Sequence, residues 1–347
     1  MVKTRIKWID LARVIAILTV LYIHANDGIF IISSDSIINL TIYSRFFDYV
    51  SIFIGRIGVP FFLMITGYLL LHRSYDDKRT QKFWVKNCKH LIIITIIWSI
   101  IYAITISLIT VKSRSVNLSE GGALFFSHMW YMPMIIGMYL SLPFVSSALK
   151  HFNNNTIFKA TVIFSILAFV LPFITLVCDI NGIAGVTIEY CLGFSGGAYG
   201  IYIILGHLIN KEHFKNISST KLWIIALVSF IICVLFQYYA YLKAYDFILW
   251  YDFPFILLGS FALFELCSRI KEVKFYGVVR VLSKYSFAVF LIHNLFRLPL
   301  LPLVVKLPYS EPIKAIILWI LLIIFSYMAA AIVYRIPKVG KYVLYMK

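Results

Sequence analysis

Apolar residues along this chain neither alternate nor recur on one face. They come in long runs separated by short polar stretches. A helix that crosses a bilayer needs about 20 mostly apolar residues. About ten runs meet that length, at residues 8–31, 49–71, 90–111, 124–148, 157–178, 184–209, 221–241, 247–268, 283–305 and 313–334. This pattern predicts an all-α, polytopic integral membrane helical bundle, since a helix satisfies its own backbone in lipid. The fifth and sixth runs are nearly fused, and Asp179, Asn181 and Gly182 supply the turn. No polar stretch is long enough for a soluble domain and no internal repeat is visible, so residues 1–347 read as one membrane-embedded domain.

Composition agrees with that reading. Hydrophobic residues make up 61% of the chain and charged residues 14%, with a mean hydropathy of +0.90. No soluble core hides that much apolar surface. The net charge of +17 raises nucleic acid as a partner, but the basic residues sit in short loops between the runs. There they set topology and meet anionic lipid headgroups, so membrane lipid is the expected partner and nucleic acid is not. With the N-terminus placed in the cytoplasm, twenty-three Lys/Arg fall inside, among them Lys3, Arg5, Lys7, Arg73, Lys78, Arg79, Lys82, Lys86 and Lys89. Seven fall outside: Arg45, Lys112, Arg114, Lys243, Arg297, Lys306 and Lys314. That bias, with an even number of helices, predicts two cytoplasmic termini. The five cysteines form no CxxC and read as small core residues. The first run lacks a small-x-small cleavage site and contains Asp10 and Arg13, so it reads as a retained helix.

That first helix carries the candidate chemistry. Ionisable residues inside a membrane are costly, and are functional candidates by default. Asp10 and Arg13 are neighbours at i and i+3. The 11-residue step from Arg13 to His24 returns to within about 20° of the same face and climbs roughly 16 Å. The three thus form one polar stripe, which needs partners or a wet cavity. A histidine suits abstraction of a hydroxyl proton near neutral pH, and Asp27, one turn further on, could fix its tautomer. The bland alternative pairs Asp10 with Arg13 at the interface and lets His24 snorkel outward.

These residues resemble a known family. Ile9-Asp10-Leu11 followed by Arg13-x10-His24 is similar to the first-helix signature of the acyltransferase-3 family of integral membrane O-acyltransferases. The segments Gly58–Tyr68, His128–Pro133 with Gly137–Leu140, and Ser286–His293 resemble that family's second, fourth and penultimate helices. The resemblance covers essentially the whole chain. It implies a ten-helix bundle that takes an acyl group, usually acetyl, from cytoplasmic acetyl-CoA and passes it to a hydroxyl of a cell-envelope polysaccharide or lipid-linked glycan. By the resemblance His24 is the base or acyl-transfer residue and Arg13 contacts the donor's path. Many members carry Arg-x-x-Arg at the start of the third helix. Asn87 and His90 stand there in this chain, with Lys86 and Lys89 beside them. Lysine binds phosphate as a point charge without the planar fork of arginine. Arg73, Lys86, Lys89 and His90 are therefore the donor-binding candidates, although ordinary topology charge accounts for the basic loop equally well.

On the acceptor side, His128, Trp130 and Tyr131 fit either sugar binding or an interfacial aromatic belt. Tyr68 and the intramembrane acid Glu189 complete the acceptor-binding candidates. Glu265 is explained by snorkelling near the cytoplasmic end, Arg56 is placed to help line a central cavity, and His293 beside Asn294 reads as a hydrogen-bonded structural histidine. Gly193–Gly197 has no phosphate-loop spacing and suits close helix packing. No HExxH or other metal cluster occurs in the sequence, so no metal is expected.

The expected protein is an O-acetyltransferase of the bacterial inner membrane. Two rivals remain. The first is a small-solute transporter, for example of serine, since membrane domains of serine-racemase proteins of the vancomycin-resistance type also resemble this family. The second is a non-catalytic membrane subunit. The topology is testable on intact cells. In a cysteine-free background, Tyr309→Cys should react with a membrane-impermeant maleimide and Ser74→Cys should not; the opposite labelling pattern inverts the orientation.

Overall fold

In the computed structural model, which describes residues 5–32, 40–113, 129–183 and 197–336 with Gly340, Val343 and Leu344, the described residues are all helix and connecting loop, without strands. Helix α1 spans Lys7–Ile32. Helices α2 (Ile42–Arg56) and α3 (Gly58–Leu70) run nearly end to end. Helix α4 (Asp77–Phe83) passes through a π-helical turn (Trp84–Cys88) into α5 (Lys89–Ser113). After α6 (Tyr131–Leu149), α7 (Asn154–Ser165) continues through a second π turn (Ile166–Val170) into α8 (Leu171–Ile180). Then come α9 (Gly197–Asn210), α10 (Ser219–Leu242), α11 (Pro254–Ser268), α12 (Tyr276–Val305) and α13 (Glu311–Arg335).

Among the described residues, eight helical stretches are long and apolar enough to cross a membrane: Lys7–Phe30, Ile42–Leu70, Asp77–Leu108, Tyr131–Leu149, Asn154–Ile180, Ser219–Leu242, Tyr276–Val305 and Glu311–Arg335. The shorter apolar helices α9 and α11 fall within the sixth and eighth runs of the sequence. Helix ends follow local chemistry. The side chains of Thr41, Asp76, Asn153 and Ser218 accept from backbone N–H groups three residues on, as N-caps do. Proline opens α11 and α13 near their first residues, where its missing N–H costs nothing.

Burial sorts the helices. Ile96, Ile100, Ile104 and Leu108 of α5 are exposed, as are Ile316, Ile320, Ile324, Met328 and Ile332 of α13. Each set steps by four residues, so each is one helical face. A continuous apolar stripe of this kind faces lipid. Helix α1 is the opposite case. Ile9, Ala12, Ala16, Ile17, Leu21 and Ala25 are fully or almost fully buried, and α1 packs against α2, α3, α11, α12 and α13. Its alanines let neighbours approach.

The break between α2 and α3 at Ile57 follows from Pro60, which cannot donate to the Arg56 carbonyl four residues back. Further along α3, Gly67 lies against the Ile203 carbonyl of α9, while Gly206 of α9 lies against the Met64 carbonyl of α3. A side chain at either glycine would overlap backbone, so the crossing depends on both. We expect Gly67→Ala and Gly206→Ala each to lower the thermal midpoint in detergent, at a cost of about 1–3 kcal/mol. An unchanged midpoint for both would refute the close crossing.

Candidate active site

The polar stripe of α1 has partners at both ends. At the Asp10 end, the carboxylate is fully buried and takes five hydrogen bonds. Arg5 donates from Nε (2.5 Å) and Nη2 (3.1 Å), Arg13 from Nη1 (3.3 Å), Tyr276 from its hydroxyl (2.8 Å) and Ser283 from Oγ (2.7 Å). Asp10 therefore orients Arg13 and also ties α1 to the start of α12. The hydrogen bond to Asp10 raises the pKa of Arg5 above its ordinary value.

Beside Arg13 lies a cavity of about 340 Å³, the inner of two in the orientation expected from the loop charges. Arg13, Arg73, Asn87 and Tyr139 give it polar atoms, and Phe62, Leu69, Leu70, Leu91 and Ile135 give it an apolar wall. Arg73 is held by donation from Nε to the Leu69 carbonyl at 2.9 Å. Asn87 sits on the π turn that opens α5 and donates to the Phe83 carbonyl at 2.9 Å. Such a turn inserts a residue into the helical register and is frequent at functional sites. Its result here is that Asn87 lines the cavity, while Lys86, Lys89 and His90 are exposed and do not.

An outer cavity of about 480 Å³ begins where the inner one ends. Val20, Val59, Tyr131 and Phe290 line both. Val20 stands between Arg13 and His24 on the same face of α1, so the two cavities are stacked along the stripe. The outer cavity is lined by His24, Asp27, Arg56, Trp130, Trp250, Tyr251 and Arg297, among others. The His24 ring lies 5.0 Å from the ring of His293 on α12. His293 is fully buried and its Nδ1 donates to the Phe290 carbonyl at 2.7 Å, which leaves Nε2 as the basic nitrogen of the neutral ring.

Asp27 faces Arg56, with Oδ2 3.8 Å from Nη2. Arg56 is buried, donates from Nε to the Leu249 carbonyl at 3.0 Å, and lies 4.2 Å over the Trp250 ring. Trp130 packs between Tyr199, Trp250 and Tyr251, with ring centroids 5.6–5.7 Å away.

The structure thus places His24, Asp27, Trp130 and Tyr131 at the outer cavity, and Arg13 and Arg73 at the inner one. Tyr68 lies apart from both linings, edge-on to Trp8 at 4.9 Å. His128 and Glu189 lie outside the described residues. Glu265 is buried and bonded to Arg269 at 2.8 Å, and Arg269 in turn donates to the Phe214 and Ile217 carbonyls. Sequence reasoning missed Trp250, Tyr251 and Arg297. Arg297 had a legible signal, because it stands four residues after His293 on one helical face. Among the described residues, no group of His, Cys, Asp and Glu could hold a metal ion.

The stacked cavities lie along a charged stripe of α1, within a multi-pass membrane protein. A family model described as "Acyltransferase domain" matches residues 6–335. The chain belongs to this acyltransferase-3 family, and its class of activity is membrane acyl transfer. No curated protein and no solved structure matches the chain.

The Asp10 cluster makes a direct prediction. Asp10→Ala strands two arginines and two hydroxyls around a buried gap, and should cost about 3 kcal/mol, the lower end for breaking a buried pair because the arginines are partly exposed. Thermal unfolding of the purified variant checks this. A midpoint equal to wild type would show that Asp10 does not hold α1 to α12.

Proposed function

We propose that the protein is a membrane O-acetyltransferase of the bacterial inner membrane, moving an acetyl group from cytoplasmic acetyl-CoA to a hydroxyl of a cell-envelope polysaccharide or lipid-linked glycan. The observation that carries this reading is the pair of abutting cavities, with a cationic inner one and a histidine-bearing outer one on the same helix face.

The inner cavity fits the donor. The guanidinium groups of Arg13 and Arg73 and the amide of Asn87 suit a phosphate-bearing head, and the apolar wall suits a pantetheine arm. Lys86, Lys89 and His90, exposed beside the mouth, add long-range attraction for the same anion. The donor supplies an activated acyl carbon held as a thioester.

At the outer cavity the aromatic wall of Trp130, Trp250 and Tyr251 offers flat faces to a sugar ring, with Tyr131 at the waist. His24 takes the proton from the acceptor hydroxyl as general base. The acceptor oxygen then bonds to the acyl carbon, the carbon–sulfur bond breaks, and the thiolate recovers a proton. His293, packed against His24, restricts how that ring turns. Asp27 acts through Arg56, which it holds against the aromatic wall.

The test is transfer of labelled acetyl from acetyl-CoA to glycan in inverted vesicles, at matched protein levels. His24→Ala should lower the rate by about 10²–10⁴-fold, the usual weight of a general base. Arg13→Ala should raise the donor concentration needed for half-maximal rate. Wild-type vesicles that accumulate serine without CoA and transfer no acetyl group would replace this reading with transport.

A further inference from the structure

The outer cavity carries more positive than negative charge. Among its lining residues Arg56 and Arg297 are cationic and Asp27 is the one carboxylate. Asp27 is engaged by Arg56, which also meets the Leu249 carbonyl, the Tyr251 hydroxyl and the ring faces of Trp250 and Tyr251. Arg297 is different. It is partly buried, and its Nε donates to the Asn294 side chain at 2.6 Å, which fixes the plane of the guanidinium. Among the described residues, no carboxylate lies within ion-pair distance of Arg297, and none accepts a hydrogen bond from its two terminal nitrogens. Asp27 reaches it only as a more distant charge.

The position of Arg297 is built, not incidental. Its Nη1 lies over Gly28 of α1, where a Cβ would come within 3.3 Å of it. Gly28 is therefore the residue that lets the guanidinium lie against α1. Gly28 is also one turn beyond His24 on the same face, a rise of about 6 Å. A cation in a partly dehydrated cavity is costly until an anion meets it. Two terminal nitrogens in one plane match the two oxygens of a carboxylate or phosphate.

We infer that the acceptor carries an oxyanion, a carboxylate or phosphate, on or next to the sugar that is acylated, and that Arg297 binds it. This rests on the acyltransferase reading of the same cavity. One turn of α1 separates the anion from the base. That spacing fits a ring substituent and a hydroxyl of the same sugar. His24 meets the hydroxyl, the aromatic wall holds the ring, and Arg297 selects the charge.

The experiment uses the full chain in lipid nanodiscs and three probes that differ only at carbon 6: methyl β-glucoside, methyl β-glucuronide and methyl β-glucoside 6-phosphate. Binding is followed by ligand-observed NMR. At least one anionic probe should bind roughly tenfold or more tightly than the neutral one, the weight of a charge-assisted hydrogen bond. Whether the glucuronide or the phosphate does so identifies the oxyanion. R297Q should bring the ratio of anionic to neutral affinity towards one, and R297K should retain part of it. Three probes that bind alike or not at all, or an R297Q ratio equal to wild type, would overturn the inference. Acetyl transfer from labelled acetyl-CoA is measured on the same samples. Charge-selective binding without transfer would sink the acyltransferase reading and leave the anion site standing. Transfer without charge selection would sink only the anion site.

Discussion

Charge inside a membrane has to be answered from within the protein, and Asp10 is where this chain meets that demand. A carboxylate with no access to water is tolerable when its oxygens are saturated with donors. Arg5, Arg13, Tyr276 and Ser283 provide them from the chain's N-terminal segment and from two helices. The cluster brings the start of α12 to the start of α1, and the two helices then run together. As a result His293 of α12 is beside His24 of α1, and Arg297 is beside Gly28. The geometry at one end of the bundle is set by the ion cluster at the other.

One helix serves both cavities because α1 repeats its face every few residues. Arg13, Val20, His24 and Asp27 are spaced by seven, four and three residues and share a side. The neighbours complete each cavity. The α3–α4 connection and the π turn before α5 supply Arg73 and Asn87, while the α2–α3 break and the segment before α11 supply Arg56, Trp250 and Tyr251. The rigid elements in this arrangement are packed on small residues. Gly67 and Gly206 lock α3 to α9, and Gly58 lets α3 approach the Ala16 carbonyl of α1.

Much of this was legible in the sequence because bilayer thickness dictates run length. Each membrane-length stretch overlaps one of the apolar runs, while the polar helix α4 lies between two of them, and the family match over residues 6–335 agrees with the motifs of α1, α3, α6 and α12. The α1 stripe was legible for the same reason, since 3.6-residue periodicity fixes which residues share a face. Contacts between distant segments were not. Asp27 had a nearer candidate partner in His24 by spacing, but the turn between α2 and α3 brings Arg56 to it. Lys86 and Lys89 fit a phosphate site by charge, yet the π turn rotates Asn87 to the cavity and leaves them outside. Arg297 counted as one more loop charge because nothing local shows that its helix lies against Gly28. Tyr68 sits in a motif-bearing helix, but its neighbour is Trp8.

The waist between the cavities has a consequence for the cell's energy supply. A continuous wet path through a membrane would short-circuit the proton gradient, whatever chemistry it served. Val20, Val59, Tyr131 and Phe290 surround the place where the two spaces meet, and apart from one phenol they offer water nothing to bond to. Apolar linings of this kind disfavour a continuous file of water. The same four side chains that join the two cavities therefore also act as an electrical insulator.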